Sequence, residues 1–335
     1  MMITWQEIIG HDTNVKIIRA MLLADKVPHA LLFTGPAGVG KSLAGTLLAA
    51  GILCGGGSGK PCGACPACIM FDRGAHPDFI LVRPDGRAIK IDQIRNLQHF
   101  AALTPAMGLR RVCMIEEAEL MTVQAANSLL KLLEEPPPGF VFILVSGTAQ
   151  PVLPTILSRC QKLQFQSLPA GLLAQALIDK GYRPEAANVA ARLSGGRMGT
   201  ALELLAPEGL MNRNKAIELL DSLRDKRMAA VWGQALALDG LDTKEVLEIL
   251  DFLVYLLRDI VLVAGSHSEH LIYNMDCSSQ LKGWADTWPE RQSIMAVSAV
   301  KDTMRAIHGN ANTRLAIEAL LLKLKDLAEK GDLVC

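Results

Sequence analysis

Gly35-Pro36-Ala37-Gly38-Val39-Gly40-Lys41-Ser42 is the stretch that decides the fold. It fits G-x-x-x-x-G-K-[ST], the phosphate-binding P-loop. The apolar run Ala30-Leu31-Leu32-Phe33 before it reads as a buried strand. The alanine- and leucine-rich segment from Leu43 to about Ile52 reads as a helix. The motif requires this strand–loop–helix context. Gly35, Gly38 and Gly40 let backbone N–H groups curl around phosphate oxygens, and the helix N-terminus adds partial positive charge. Lys41 is expected to reach the β/γ-phosphates, and the Ser42 hydroxyl to ligate Mg²⁺. Bound ATP with Mg²⁺ is the expectation.

Outward from the loop, apolar runs and helical stripes alternate. Val15, Ile17, Ile18, Met21 and Leu22 mark a helical lead-in within residues 1–26. Strands are expected at Asp78–Val82, Arg111–Ile115, Phe140–Val145 and Lys162–Phe165, with a helix at Ile91–Leu103. Another helix begins after Thr122 as N-cap and places Val123, Ala126, Leu129, Leu130 and Leu133 on one face. Pro136-Pro137-Pro138 ends it. Strands alternating with helices imply a five-stranded parallel sheet in an α/β domain, residues 1–167. No convincing strand follows. A small helical unit is expected over residues 168–206 and an all-α domain over 207–335. Within the latter come three or four longer helices and a long connection, Gly265–Pro289.

Bulk properties narrow the function. Lys+Arg equals Asp+Glu at 34 each, which lacks the basic footprint of an autonomous DNA-binding protein. Aromatic residues are 4%, too few for stacking platforms on single strands. No N-terminal signal pattern is visible, and the longest apolar stretch, Val246–Ala264, is broken by four charges. The expectation is a cytoplasmic protein with no membrane partner.

Three further constellations carry chemistry. Glu116-Glu117-Ala118-Glu119 ends the strand at Arg111–Ile115. There, a carboxylate at Glu116 would hold Mg²⁺ through water and one at Glu117 would polarise an attacking water. A solvated acidic turn is the alternative. Cys54, Cys62, Cys65 and Cys68 form C-x₇-C-x₂-C-x₂-C in a glycine-rich insertion. In a cytosolic chain this is a metal cluster before it is a disulfide framework, and four thiolates suit structural Zn²⁺. His76 is the substitute should Cys54 not ligate. Cys113 and Cys160 read as core. Ser158-Arg159-Cys160 precedes the last strand, where Arg159 is either a solvated charge or an arginine finger for a neighbouring subunit. Arg95, Arg110 and Arg111 are surface candidates for direct DNA contact, with ordinary solvated charges as the alternative reading.

Together these elements resemble the clamp-loader branch of the AAA+ ATPases. The shared residues are Ile8-Ile9-Gly10, His29 through Gly35, the four cysteines, Asn127 through Lys131, Leu133 through Pro137, and Ile156 through Cys160. The motifs cover about residues 5–165 and are specific as a set. The resemblance implies a lid at 168–206 and a collar at 207–335. It implies a subunit of the DNA polymerase III clamp loader, a hetero-oligomeric ring of tau/gamma and delta subunits. That ring places a sliding clamp on primed DNA during replication. Ile9 would border the adenine, Arg159 would act in trans on ATP held by a tau/gamma subunit, and one of Ser146, Gly147 and Thr148 would be the sensor-1 residue.

Departures from the motor subunits matter. They carry Asp-Glu where this chain has Glu116-Glu117, and a γ-phosphate-sensing arginine where Gly196-Arg197-Met198-Gly199 puts Gly199. Arg197 is two residues off, roughly 200° around a helix. The expectation is a P-loop that binds nucleotide with weakened hydrolytic parts. A tau/gamma-like ATPase motor, with Glu117 positioning water, is the alternative. A P-loop kinase or nucleotide-dependent DNA-modifying enzyme lacks a substrate signature and leaves Ser158-Arg159-Cys160 idle.

Overall fold

A computed structural model describes residues 4–57, 59–147, 152–224, 227–265 and 271–331. The chain divides into two compact units. The first comprises residues 1–176 and 195–200, the second 177–194 and 201–335.

The first unit is the expected five-stranded parallel sheet. In chain order it holds α1 (Asp12–Leu23), β1 (Ala30–Thr34), α2 (Lys41–Leu53), α3 (Pro66–Asp72) and β2 (Phe79–Val82). Then come α4 (Ile91–Ala102), β3 (Arg111–Ile115), α5 (Val123–Glu134), β4 (Phe140–Ser146), α6 (Pro154–Leu157) and β5 (Gln161–Gln164). The strand order is β2-β3-β4-β1-β5. β4 is buried along its whole length, as a strand covered on both faces must be. Alternate residues feed two cores. Leu31, Phe33, Val112, Met114, Ile143 and Val145 pack with α1 and α2. Leu32, Cys113, Ile115, Phe142 and Leu144 pack with α4 and α5. Thr122 caps α5 by accepting the Ala125 N–H at 3.2 Å.

The parallel register matters for the site. Thr34 at the end of β1 lies beside Ser146 at the end of β4. Gly35 and Gly147 therefore leave the sheet side by side.

The helices that follow are α7 (Ala170–Asp179), α8 (Pro184–Leu193), α9 (Met198–Leu204), α10 (Met211–Arg224), α11 (Met228–Asp239), α12 (Thr243–Ala264), α13 (Ser278–Thr287), α14 (Glu290–His308) and α15 (Thr313–Gly331). In the second unit α12 packs against α10, α13 and α14. Two sequence expectations need correction here. There are more long helices than three or four. The stretch read as a connection, Gly265–Pro289, contains α13. Its few apolar residues give little periodicity, yet Leu281 and Trp284 are fully buried, as is Trp288 just beyond it. The Trp284 indole N–H donates to Asp221 at 2.7 Å. Buried Asp259 accepts from the backbone N–H of Asn274 at 2.8 Å and holds the chain leading into α13.

Arg111 is a third correction. It is not a surface charge: it is 6% exposed and pairs at 3.2 Å with fully buried Asp78. Its guanidinium also lies over the Phe100 ring. Among the described residues, no helix is long and apolar enough to cross a membrane.

Candidate nucleotide and metal sites

The loop between β1 and α2 has the geometry a phosphate cradle needs. Gly35 leaves β1 with φ +143°, and a Cβ there would overlap the Phe165 carbonyl. No other residue fits that turn. Lys41 opens α2 and is buried. Its ammonium donates to the carbonyls of Gly35 and Pro36, each at 2.6 Å. These two bonds hold the charge under the loop and leave the third N–H donor for a phosphate oxygen. Burial lowers the Lys41 pKa, and the charge of Glu119 opposes that shift. Ser42 follows in the first turn of α2, where backbone N–H groups have no helical partner.

His11 was not singled out from sequence, yet it braces the loop. Its ring lies edge-on to Phe165 and its Nε2 is 3.0 Å from the Val39 carbonyl. Burial lowers its pKa, and because a carbonyl only accepts, Nε2 is the nitrogen that carries the proton in this contact. This contact ties the segment after Ile8-Ile9-Gly10 to the P-loop. Ile9 itself is half-buried beside it.

The segment 196–200 also contacts the loop. The Gly199 N–H donates to the Gly38 carbonyl at 2.8 Å. A Cβ on Gly199 would come within 3.1 Å of the Gly38 Cα. A Cβ on Gly38 would meet Thr200 Oγ1 at 3.2 Å and Arg197 Cβ at 3.6 Å. Arg197 therefore starts beside the loop, contrary to its expected turn away. The helical-wheel estimate does not apply because α9 begins only at Met198.

The acidic residues are not equivalent. Glu116 continues from β3, its N–H donating to Val82 O at 3.0 Å, and its carboxylate pairs with Arg83 at 2.6 Å. Glu117 is exposed, with left-handed backbone at φ 51°. Glu119, in the turn after β3, accepts the Gly147 N–H at the end of the neighbouring β4 through Oε1 at 2.7 Å. Its Oε2 is buried with no hydrogen-bond partner. Ser146 is buried and donates to the Gly147 carbonyl at 3.1 Å. Thr148 lies outside the described residues.

Arg159 follows α6 at the edge of the first unit. Its Nη2 pairs with Glu134 at 2.6 Å, and Nη1 donates to Thr155 O at 2.9 Å and Ser158 Oγ at 3.2 Å. The side chain keeps 35% of its exposure. Cys160 next to it is half-buried, and burial pushes its thiol up to about 11.

The four cysteines converge. The Sγ atoms of Cys54, Cys62, Cys65 and Cys68 all lie within 4.8 Å of one another, so the group is able to hold a metal ion. Cys54–Cys65 and Cys62–Cys68 are 4.0 Å and 3.9 Å apart. A tetrahedral ion with Zn–S bonds of about 2.3 Å separates its sulfurs by about 3.8 Å, so the donor set fits zinc. Backbone N–H groups of Gly56, Cys62, Cys65 and Cys68 point at these sulfurs at 3.3 to 3.4 Å. Such bonds stabilise thiolates, and those from Ala64 and Cys65 hold the Cys62 pKa down to about 6. His76 is not in the cluster; its Nδ1 instead accepts the Asp78 N–H at 3.1 Å.

A family model described as DNA polymerase III, delta subunit, matches residues 10–169. The DNA polymerase III subunit delta' of Bacillus subtilis is 32% identical over 331 residues, covering 97% of this chain and all of that one. This chain belongs to the DNA polymerase III subunit delta' family. A Pseudomonas aeruginosa member is 38% identical over 209 residues, 60% of this chain and 63% of its own length. The gamma/tau subunit of Mycobacterium tuberculosis is 33% identical over 168 residues, but the match covers only 29% of that protein. This delta' chain thus combines a complete P-loop motif with a converging cluster of four cysteines.

Proposed function

We propose that this delta' chain works inside a clamp loader as a nucleotide-binding subunit that hydrolyses little itself. It would donate Arg159 to ATP held by a neighbouring tau/gamma subunit. One observation carries this reading: the Arg159 side chain keeps about a third of its surface open to solvent, and its charge partner, Glu134, is half-exposed. Such surface pairs contribute only about 0–1 kcal/mol. Exchanging Glu134 for a phosphate therefore costs little, and an arginine finger neutralises transition-state charge.

Within the chain itself, Gly35, Gly38, Gly40, Lys41 and Ser42 would hold the phosphates, with Ile9 beside the base. The Ser42 hydroxyl would hold Mg²⁺, which would neutralise phosphate charge. Cys54, Cys62, Cys65 and Cys68 would carry a structural Zn²⁺ that locks the end of α2 to the start of α3. Residues 168–206 would serve as the lid and 207–335 as the collar. The assembled ring, with its tau/gamma and delta subunits, would supply contact with the sliding clamp and primed DNA.

A tau/gamma-like motor is the second reading, favoured by the well-placed Lys41. Against it stand the Glu116–Arg83 pair and the glycine at 199. The discriminating experiment is ATP binding and turnover by the purified chain, repeated with tau/gamma added. Binding alone, then turnover that requires tau/gamma and Arg159, supports the first reading. Turnover by the chain alone, abolished by Lys41→Ala, supports the second.

A further inference from the structure

The acid expected to serve the nucleotide's metal is Glu116, by its place at the end of β3. The structure gives that carboxylate another partner. Its Oε2 is ion-paired with Arg83 at 2.6 Å, so part of its charge is already neutralised within the chain. Glu119 stands differently. It sits in the turn after β3, and Oε1 is anchored on the Gly147 N–H at 2.7 Å. Gly147 follows Ser146, whose register partner Thr34 is the last residue before the P-loop. The anchor thus brings Glu119 to the strand end beside Gly35. The second oxygen, Oε2, is fully buried and has no partner in the chain. A buried carboxylate oxygen left without a donor or cation is costly, and its retention asks for a ligand.

We propose that Glu119, rather than Glu116, is the acid that holds the hydrated Mg²⁺ of a nucleotide bound at the P-loop. The inference rests on the nucleotide-binding reading above. Electrostatics agree with the placement: Glu119 is the acid whose charge acts on the buried Lys41 ammonium. Division of labour within one side chain follows. Oε1 fixes the end of β4, and Oε2 accepts from a metal-bound water. Mg²⁺ suits this arrangement because it keeps several waters and takes few direct protein ligands.

The anchoring bond also supplies a clean test. Glu119→Gln keeps an oxygen that accepts from Gly147 while removing the charge. The full-length chain is titrated with a slowly hydrolysed ATP analogue, ATPγS, in MgCl₂ and in EDTA. The expected result is that Glu119→Gln loses at least about tenfold of the Mg²⁺-dependent affinity, the scale for outer-shell metal partners. Its affinity in EDTA should match the unsubstituted chain, and Glu116→Gln should stay within about threefold of it under both conditions. Full Mg²⁺ dependence in Glu119→Gln, or its loss in Glu116→Gln instead, overturns the inference while leaving nucleotide binding standing. No binding by the unsubstituted chain in either buffer overturns the nucleotide-binding reading, and this inference with it. Equal melting temperatures of the two variants verify that charge, not folding, is being read.

Discussion

The backbone N–H of Gly199 donates to the carbonyl of Gly38 at 2.8 Å, joining the segment before α9 to the phosphate loop. Two glycines make this contact because nothing larger fits: a Cβ on Gly199 would lie 3.1 Å from Gly38 Cα and 3.3 Å from its carbonyl oxygen. Where the clamp-loader motors place an arginine, this chain presents main chain. Gly199→Ala should therefore destabilise the protein by about 1–3 kcal/mol, the range for overpacking a close contact. Urea denaturation measures this. Gly199→Arg should not confer ATP turnover on the isolated chain, because the Gly38 main chain already fills the space its side chain would need.

Asp78 is sensitive to substitution because it is a fully buried carboxylate. It accepts the N–H groups of Ala106 at 2.7 Å and Met107 at 2.8 Å and pairs with Arg111. Asp78→Ala strands a buried guanidinium and two backbone donors. The expected loss is about 3–5 kcal/mol, as for other broken buried ion pairs. A shift of the urea midpoint at unchanged slope is the check; a loss below about 1 kcal/mol would contradict the role given to the pair.

For the thiolate cluster, metal analysis of protein purified without added metal should find one zinc per chain. Cys65→Ser should lose it, since Cys65 is both a donor and the N-cap that accepts the Cys68 N–H of α3. Gly56→Ala should weaken zinc retention against a chelator, because its Cβ would press on Cys62 Sγ at 3.0 Å. Lowered melting temperature on chelation would mark the ion as structural.

Lys41→Ala should abolish ATPγS binding without unfolding the chain, since the loop's shape is set by glycines and by the His11–Val39 contact. A melting curve that collapses would instead mean that the ammonium braces the loop's carbonyls.

Local signals were readable in the sequence. The P-loop, the buried strands at Arg111–Ile115 and Phe140–Ser146, the Thr122 cap and the cysteine spacing all depend on neighbours close along the chain. What stayed hidden depends on partners far away. Arg111 reads as surface until Asp78, thirty-three residues earlier, is folded against it. α13 has too few apolar residues to show a period, yet Leu281 and Trp284 bury it. Arg197 was displaced by a helix start that no cap residue announced. Glu119 and His11 gain their roles only when Gly147 and Val39 are brought to them by the sheet.

The proposed role of Arg159 is to serve a neighbour's nucleotide. The direct measurement is ATP turnover by a reconstituted loader carrying Arg159→Ala in this subunit only, with assembly checked by sedimentation. An intact ring whose turnover falls by about a thousandfold or more at that site is the predicted result, the scale of an arginine finger. An intact ring with unchanged turnover would contradict it.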